Sequence, residues 1–213
     1  MGDLASAIAI RAEEQTLVDE LKSGSEAAFA QLIAQYSHPI YSLIARSLRD
    51  PADAADVTQE VFVKVFRNIS GFHGEASLRT WIYRIALHEA SNQRRWWGRH
   101  KRQELTIDAP LASGEGETFC LSDALATHDA SPYDLAASSE VKSHVEAALA
   151  ALPEAFREVV ILREIEGLGY EEIAEVLNVN IGTVKSRLTR GRAALRDALL
   201  GSRNLVSGLK EVA

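Results

Sequence analysis

The stretch Gly169-Tyr170-Glu171-Glu172-Ile173-Ala174-Glu175-Val176-Leu177-Asn178-Val179-Asn180-Ile181-Gly182-Thr183-Val184-Lys185-Ser186-Arg187-Leu188-Thr189-Arg190-Gly191-Arg192 decides how this chain is read. Tyr170, Ile173, Ala174 and Leu177 recur at three- and four-residue steps, the period of one helix face. Asn178-Val179-Asn180 reads as a tight turn, and Asn180 is a good N-cap for a second helix. Ile181, Val184, Leu188 and Leu195 mark the longer stripe of that helix. A short helix, a turn and a longer helix with facing apolar stripes predict a helix-turn-helix, whose second helix can enter a major groove. Its outward face carries Thr183, Lys185, Ser186, Arg187, Thr189, Arg190 and Arg192. Guanidinium and ammonium groups can grip phosphates or guanine edges, and hydroxyls can bind either. An ordinary surface helix would share the stripe, but not the agreement of capped turn, stripe and charge sign.

Outward from this unit the patterning stays helical, and no β signal of any length or internal repeat is found. Val141, Val145, Ala148, Leu149 and Leu152 form one stripe. Pro153 opens a helix carrying Phe156, Val159, Val160 and Ile165, which Gly167 and Gly169 break. In the first half, Phe29, Leu32, Ile33, Tyr36, Ile40, Leu43, Ile44 and Leu48 repeat helically, and Pro39 is expected to kink or interrupt them. Asp50-Pro51 starts a new helix with Val57, Val61, Phe62, Val65, Phe66 and Ile69 as its buried stripe. A glycine-marked loop, Ser70 to Glu75, leads into a helix from about Leu78 to Trp97. The expected fold is all-α, with two small helical domains joined by a long flexible linker. Its boundaries are an extension at 1–24, a domain at 25–100, a linker at 101–138, a domain at 139–200 and a tail at 201–213. The linker is punctuated by Pro110, Ser113, Gly114, Gly116 and Pro132, and is too long for a simple loop inside a compact domain.

Charge is strongly segregated beneath a net charge of −7. Residues 79–102 carry 7 basic and 1 acidic side chain, and residues 181–203 carry 6 and 1, whereas residues 103–180 carry 3 and 16. Two basic patches in an acidic chain point to two contacts with a polyanion, although either patch alone could be a solvated helix face. The first patch interleaves Arg79, Arg84, Arg94, Arg95, Arg99, Lys101 and Arg102 with Trp81, Tyr83, Trp96 and Trp97, and it holds all 3 tryptophans of the chain. Cations beside rings suit unpaired nucleic acid, where charge follows the backbone and rings stack on bases. By its spacing Trp81 is also a core residue, with an exposed edge compatible with both roles.

The remaining composition excludes several classes. With 213 residues, 46% hydrophobic and 25% charged, the chain is an ordinary globular protein. No apolar run approaches membrane-spanning length, and the N-terminus lacks the basic start and apolar run of a signal peptide. Cys120 is the single cysteine, so no internal disulfide and no thiolate metal cluster is expected. The 6 histidines show no metal-ligand spacing, and there is no phosphate loop or nucleophile elbow. The expectation is a cytoplasmic protein that is not an enzyme, with no catalytic residue, metal or cofactor. Two non-enzymatic readings stand: a factor that contacts duplex and unpaired nucleic acid through its two patches, or a stand-alone helix-turn-helix regulator with an N-terminal sensor domain. The second leaves the aromatic and basic helix unexplained.

Three separated motifs resemble the sigma-70 family of bacterial transcription initiation factors, in its short extracytoplasmic-function form. Asp50-Pro51 through Asp56-Val57-Thr58-Gln59-Glu60-Val61-Phe62 resembles the polymerase-binding segment of region 2, and Leu78-Arg79-Thr80-Trp81-Ile82-Tyr83-Arg84-Ile85-Ala86 its promoter-melting segment. Leu152-Pro153-Glu154-Ala155-Phe156-Arg157, Gly169 to Ala174 and Gly182-Thr183-Val184-Lys185-Ser186-Arg187-Leu188 look like region 4. Regions 1.1 and 3 of the larger members have no counterpart. On composition alone the face with Asp53, Asp56, Gln59, Glu60, Val63 and Lys64 is a solvated helix face. The resemblance implies that it binds the clamp coiled coil of the largest subunit of core RNA polymerase, with the flap region as a second polymerase contact. It further implies that the loop Ser70 to Ser77, with Phe72, His73, Gly74 and Glu75, takes up a flipped base of the −10 element. Arg79, Trp81, Arg84, His88, Asn92, Arg94 and Arg95 would line the unwound strand. Thr183, Lys185, Ser186, Arg187, Thr189 and Arg190 would read the −35 duplex. An anti-sigma protein is an implied partner. The sequence departs from the family pattern at Gly169, where a serine or threonine cap is common, and at Thr189 and Gly191 on the reading helix.

Overall fold

A computed structural model describes residues 14–48, 51–104 and 132–210, apart from the side chains at 51, 100–104, 132–140 and 201–210. The described residues contain helices and turns and no strand, so the all-α expectation holds.

The first domain is built from α1 (residues 14–22), α2 (Glu26–Ser47), α3 (Ala54–Asn68) and α4 (Leu78–Glu104). Ser25 caps α2, its side-chain oxygen accepting from the Ala28 amide at 3.3 Å. α2 then runs unbroken through Pro39, contrary to the expected kink. Proline in a helix interior costs about 3 kcal/mol. Buried Leu32, Tyr36, Ile40, Leu43 and Ile44 anchor both sides of it in the core and offset that cost. A 3-10 turn, Pro51–Asp53, leads into α3, while Asp50, the expected cap, lies outside the described residues. Val57, Val61 and Val65 of α3 are buried as the spacing predicts. Phe66 is not: it is 59% exposed and meets Phe29 of α2 with ring centroids 4.8 Å apart. Ile33 on α2 is likewise 45% exposed. A stripe of three- and four-residue steps is wider than the strip of helix the core covers, so residues at its edge are left exposed.

Ser77 caps α4 through the Thr80 amide at 3.1 Å, and the Leu78 amide donates to the carboxylate of Glu14 on α1. Val18 and Leu21 of α1 are buried. The stretch that the sequence pattern leaves as an extension is therefore partly a structural element of the first domain.

The second domain contains α5 (Pro132–Ala151), α6 (Glu154–Val160), α7 (Tyr170–Leu177) and α8 (Ile181–Lys210), with a π-helical turn Ile161–Ile165 continuing α6. α5 starts earlier than the stripe suggests, and Val141 is 63% exposed. α8 runs on through most of the expected tail. The expected linker lies largely outside the described residues, at 105–131. At the turn, Asn178 takes the left-handed conformation with φ 51° and closes α7. Asn180 caps α8, its side-chain oxygen accepting from the Thr183 amide at 2.7 Å.

The domains are not separate beads. α4 packs on α7, and α2 packs on α5 and α6. Buried residues of both halves belong to one connected hydrophobic cluster.

Gly191 also proves to have a packing role. The sequence pattern places it on the reading helix without a packing partner; it is buried where α8 crosses α6. A Cβ there would lie 2.8 Å from Cγ2 of Val160 and 3.3 Å from the Phe156 carbonyl oxygen. Gly191→Ala is expected to lower the stability of the chain by about 1–3 kcal/mol through overpacking, despite alanine's higher helix propensity. Urea denaturation followed by circular dichroism checks this, and an unchanged or higher midpoint would refute the close approach.

Candidate nucleic-acid interface

Two faces carry the cations picked out from the sequence. On α8, Lys185, Ser186, Thr189 and Arg190 are exposed and Thr183 and Arg187 half-buried, while Val184 and Leu188 are buried against the rest of the domain. This is the geometry of an amphipathic helix with a free polar face. Thr183 and Thr189 are partly occupied locally: their hydroxyls donate to the Asn180 side chain at 3.0 Å and to the Lys185 carbonyl at 3.0 Å. Arg192 turns away from this face to pair with Glu164 at 2.6 Å. At the start of α7, Gly169 supplies no side-chain cap, yet its amide donates to the Glu172 carboxylate at 2.6 Å. The missing serine or threonine is thus compensated from the third helical position.

The second face lies on α4 and the loop before it. His73, Gly74 and Glu75 are exposed, and Gly74 takes φ +74° with open space around it. Phe72 is buried and its ring lies 5.3 Å from that of half-buried Trp81, so this pair ties the loop to the core. Farther along α4, Trp96 and Trp97 meet edge to face at 5.2 Å, and both rings are exposed. Arg84, His88 and Arg95 are exposed, whereas Arg79, Asn92 and Arg94 are half-buried.

Several of these side chains reach the second domain. The Arg79 guanidinium donates to the backbone oxygen of Glu166 and lies over the Tyr83 ring at 5.4 Å. The Tyr83 hydroxyl donates to the Glu166 carboxylate at 2.6 Å. Burial, with Glu166 beside it, pushes the Tyr83 phenol well above its ordinary pKa. Arg84 donates to the Glu175 carbonyl at 3.0 Å. Arg94 donates to the Ser47 carbonyl at 2.9 Å, to Glu158 at 3.2 Å and to Glu154.

The acidic face of α3 stands beside α4. Asp56, Gln59, Glu60 and Val63 are exposed. Asp53 accepts from Gln93 at 3.3 Å and from the Trp97 indole. Lys64 pairs with the nearly buried Glu89 of α4, which also meets His88 at 2.9 Å. An open groove of about 460 Å³ runs between the two helices, lined by Asp56, Glu60, Glu89, Asn92, Arg95 and Trp96. Sequence reading missed Glu89, because the single acid in a basic run looks incidental. It also missed Tyr83 as a polar contact.

Among the described residues no group of histidine, cysteine or carboxylate side chains could hold a metal, and no helix is long and apolar enough to cross a membrane.

The class defined by these features is an all-helical, nucleic-acid-facing protein with a helix-turn-helix in one half and an aromatic, cationic helix in the other. Residues 32–100 match the family model Sigma-70 region 2, and residues 144–195 match Sigma-70, region 4. The RNA polymerase sigma-H factor of Pseudomonas aeruginosa is 36% identical over 187 residues, covering 88% of this chain and 94% of the relative. The ECF RNA polymerase sigma-E factor of Escherichia coli is 36% identical over 182 residues, covering 85% and 92%. The chain belongs to the sigma-70 family, in its extracytoplasmic-function group. The fold agrees with solved structures. CnrH in complex with the cytosolic domain of CnrY matches with TM-score 0.62 at 24% identity, covering 89% of this chain and 97% of that one. The sigma factor RpoE in complex with the anti-sigma factor NepR from Bartonella quintana matches with TM-score 0.60 at 21% identity, covering 80% and 96%.

Glu89 gives the α3–α4 seam a pH dependence. Burial raises its pKa, but hydrogen bonds from Lys64 and His88 outweigh that and hold it below the ordinary value. The folded state therefore binds fewer protons than the unfolded state across the carboxylate range. This stabilisation is present above the unfolded pKa and is lost as pH falls through the folded one. Glu89→Gln is expected to lower stability at neutral pH and to flatten its fall on acidification, measured by urea denaturation at several pH values. An unchanged slope would exclude a role for this carboxylate.

Proposed function

We propose that this chain binds core RNA polymerase, recognises the −35 and −10 promoter elements and assists strand opening, so directing transcription initiation. The observation that carries the reading is the pairing of two different cationic faces: a hydroxyl- and arginine-bearing α8 face suited to duplex, and an aromatic α4 suited to unpaired bases. A stand-alone regulator would use only the first.

In this assignment Asp53, Asp56, Gln59, Glu60, Val63 and Lys64 dock on the clamp coiled coil of the largest polymerase subunit, and the second domain contacts the flap region. The exposure of Asp56, Gln59, Glu60 and Val63 beside an open groove supports it. The loop His73-Gly74-Glu75 receives an extruded base, with Phe72 and Trp81 as its floor. Arg79, Arg84, His88, Asn92, Arg94 and Arg95 hold the unwound strand. Thr183, Lys185, Ser186, Arg187, Thr189 and Arg190 face the upstream duplex. Captured bases offset part of the cost of unpairing, and no bond is made or broken by the chain. The site of action is the cytoplasm, where polymerase and promoter are found. An anti-sigma protein covering the polymerase-binding face is the expected regulator, and the sigma factor RpoE among the solved structures above was obtained with the anti-sigma factor NepR.

Gel filtration with sigma-free core polymerase tests the core assignment. The expected outcome is co-elution of the native chain, weakened at least about tenfold in Asp56→Ala/Gln59→Ala, a loss of roughly 1.4 kcal/mol. Failure of the native chain to co-elute, with tight duplex binding by the chain alone, would favour the stand-alone regulator. With polymerase, Arg187→Ala should reduce transcription from the cognate promoter by about tenfold or more, as for loss of one good base or phosphate contact. Unchanged transcription would remove Arg187 from the reading face.

A further inference from the structure

The first turn of α4 follows closely on the loop His73-Gly74-Glu75, and its amides are met by two different segments of the chain. Ser77 serves two of them. Its side-chain oxygen accepts from the Thr80 amide at 3.1 Å, and its carbonyl accepts from the Trp81 amide at 3.0 Å. A cap side chain reaches the second or third amide of a helix, not the first. The first amide, that of Leu78, donates instead to the carboxylate of Glu14, 64 residues back. A carboxylate is the favoured partner there, because a helix N-terminus carries partial positive charge and the bond is charge-assisted. Glu14 is itself held in place. Val18 and Leu21 bury one face of α1 in the core. Gly24 at φ +82° closes the helix behind them. There the Gly24 amide donates to the Leu21 carbonyl and the Ser25 amide to the Glu20 carbonyl, both at 3.1 Å. Burial raises the pKa of the Tyr36 phenol, Glu14 adds to the rise and Arg79 opposes it, so the carboxylate stands close to both the core and α4.

We propose that Glu14 is a positioning residue for base capture, acting through the Leu78 amide on the first turn of α4 and so on the ring pair that holds the loop. This rests on reading His73-Gly74-Glu75 as the receiver of an extruded base. Trp81 is the fourth residue of α4. Its ring lies 5.3 Å from that of Phe72, at the other end of the loop. Phe72 is 7% exposed and its amide donates to the Ile69 carbonyl at 3.1 Å, so that end is fixed to the core. The exposed residues His73, Gly74 and Glu75 thus span two anchors, and one anchor is the turn that Glu14 caps. Without the carboxylate the Leu78 amide has lost its acceptor and the turn frays, because the first amides of a helix have no intrahelical partners. Trp81 then loses its fixed place against Phe72, and the loop samples positions that distinguish bases poorly. A site discriminates only while its groups are held within roughly 0.5 Å of the productive geometry. Glu14 touches neither DNA nor polymerase in this assignment; it sets where the residues that do so stand.

The test uses the full chain reconstituted with core polymerase. A single-stranded DNA pool with a short randomised segment is bound, recovered and sequenced. Selectivity is the ratio of the best base to the next at the most selective position. Hydrogen exchange of the Thr80 and Trp81 amides is followed in the free chain. Glu14→Ala should speed exchange of both amides about five- to tenfold, the loss of one cap, and lower the selectivity ratio by a similar factor. Glu14→Gln keeps a carbonyl oxygen to accept from Leu78 and should restore most of both. Ile40→Val trims a fully buried side chain of α2, lowers stability without altering the cap, and should leave the ratio unchanged. Faster exchange in Glu14→Ala with an unchanged ratio would make the cap merely structural and overturn the proposal. An equal fall of the ratio in Ile40→Val would overturn it too, as would exchange and ratio both unchanged in Glu14→Ala. Co-elution with core polymerase, run in parallel, separates the failures. If the native complex forms but selects no base, the base-receiving loop falls and this proposal with it. If it selects bases and Glu14→Ala does so equally well, only the positioning role falls.

Discussion

The guanidinium of Arg94 joins three helices. It donates to the Ser47 carbonyl at the end of α2 and to two carboxylates of α6, while its own backbone belongs to α4. Burial pushes the Glu158 carboxyl up, and Arg94 pulls it down. A charge this enclosed is tolerable only where acceptors meet it, and here both terminal nitrogens of the guanidinium find them. The closeness of the two domains follows. α4 lies against α7, and Arg79 and Arg84 of the same helix reach helix-terminal carbonyls of the second domain.

α4 is therefore a shared element. One side, with Ile82, Tyr83, Ala86 and Ala90, is buried. A second edge meets α3 through the links of Asp53 to Trp97 and of Lys64 to Glu89. A third edge carries the arginines. A partner docking on the α3 face would compete for Asp53 and Lys64, and so act on residues that position Trp97 and His88 of α4. Binding at one face and ordering at the other are then linked through side-chain contacts across one helix seam, with no long pathway required.

Much of this was legible in the residues. The helix-turn-helix followed from one short stretch because apolar period, turn and cap are all local properties, and Asn180 caps α8 as its spacing predicts. The buried valines of α3 followed for the same reason. Pro39 did not, because its local penalty is set against core contacts that local pattern cannot weigh. Phe66 and Ile33 did not, because membership of a stripe does not tell where the core ends. The packing role of Gly191 was not legible, because its neighbour Val160 lies on α6, far away along the chain. Glu14 and Tyr83 act on residues distant in sequence, at Leu78 and Glu166, and nothing in their own surroundings announces it.

By itself the sequence determined the helical class, the division of charge, the two cationic helices and the family. These are properties of period, composition and local motif, which a linear chain carries in full. Only the tertiary structure decided that the two cationic helices are in different states. α8 presents its polar face outward, whereas α4 has Arg79, Arg84 and Arg94 bonded to the other domain. The reason is electrostatic and geometric. Carbonyls at helix ends and carboxylates far away along the chain act on a guanidinium only at contact distance, and folding alone sets that distance.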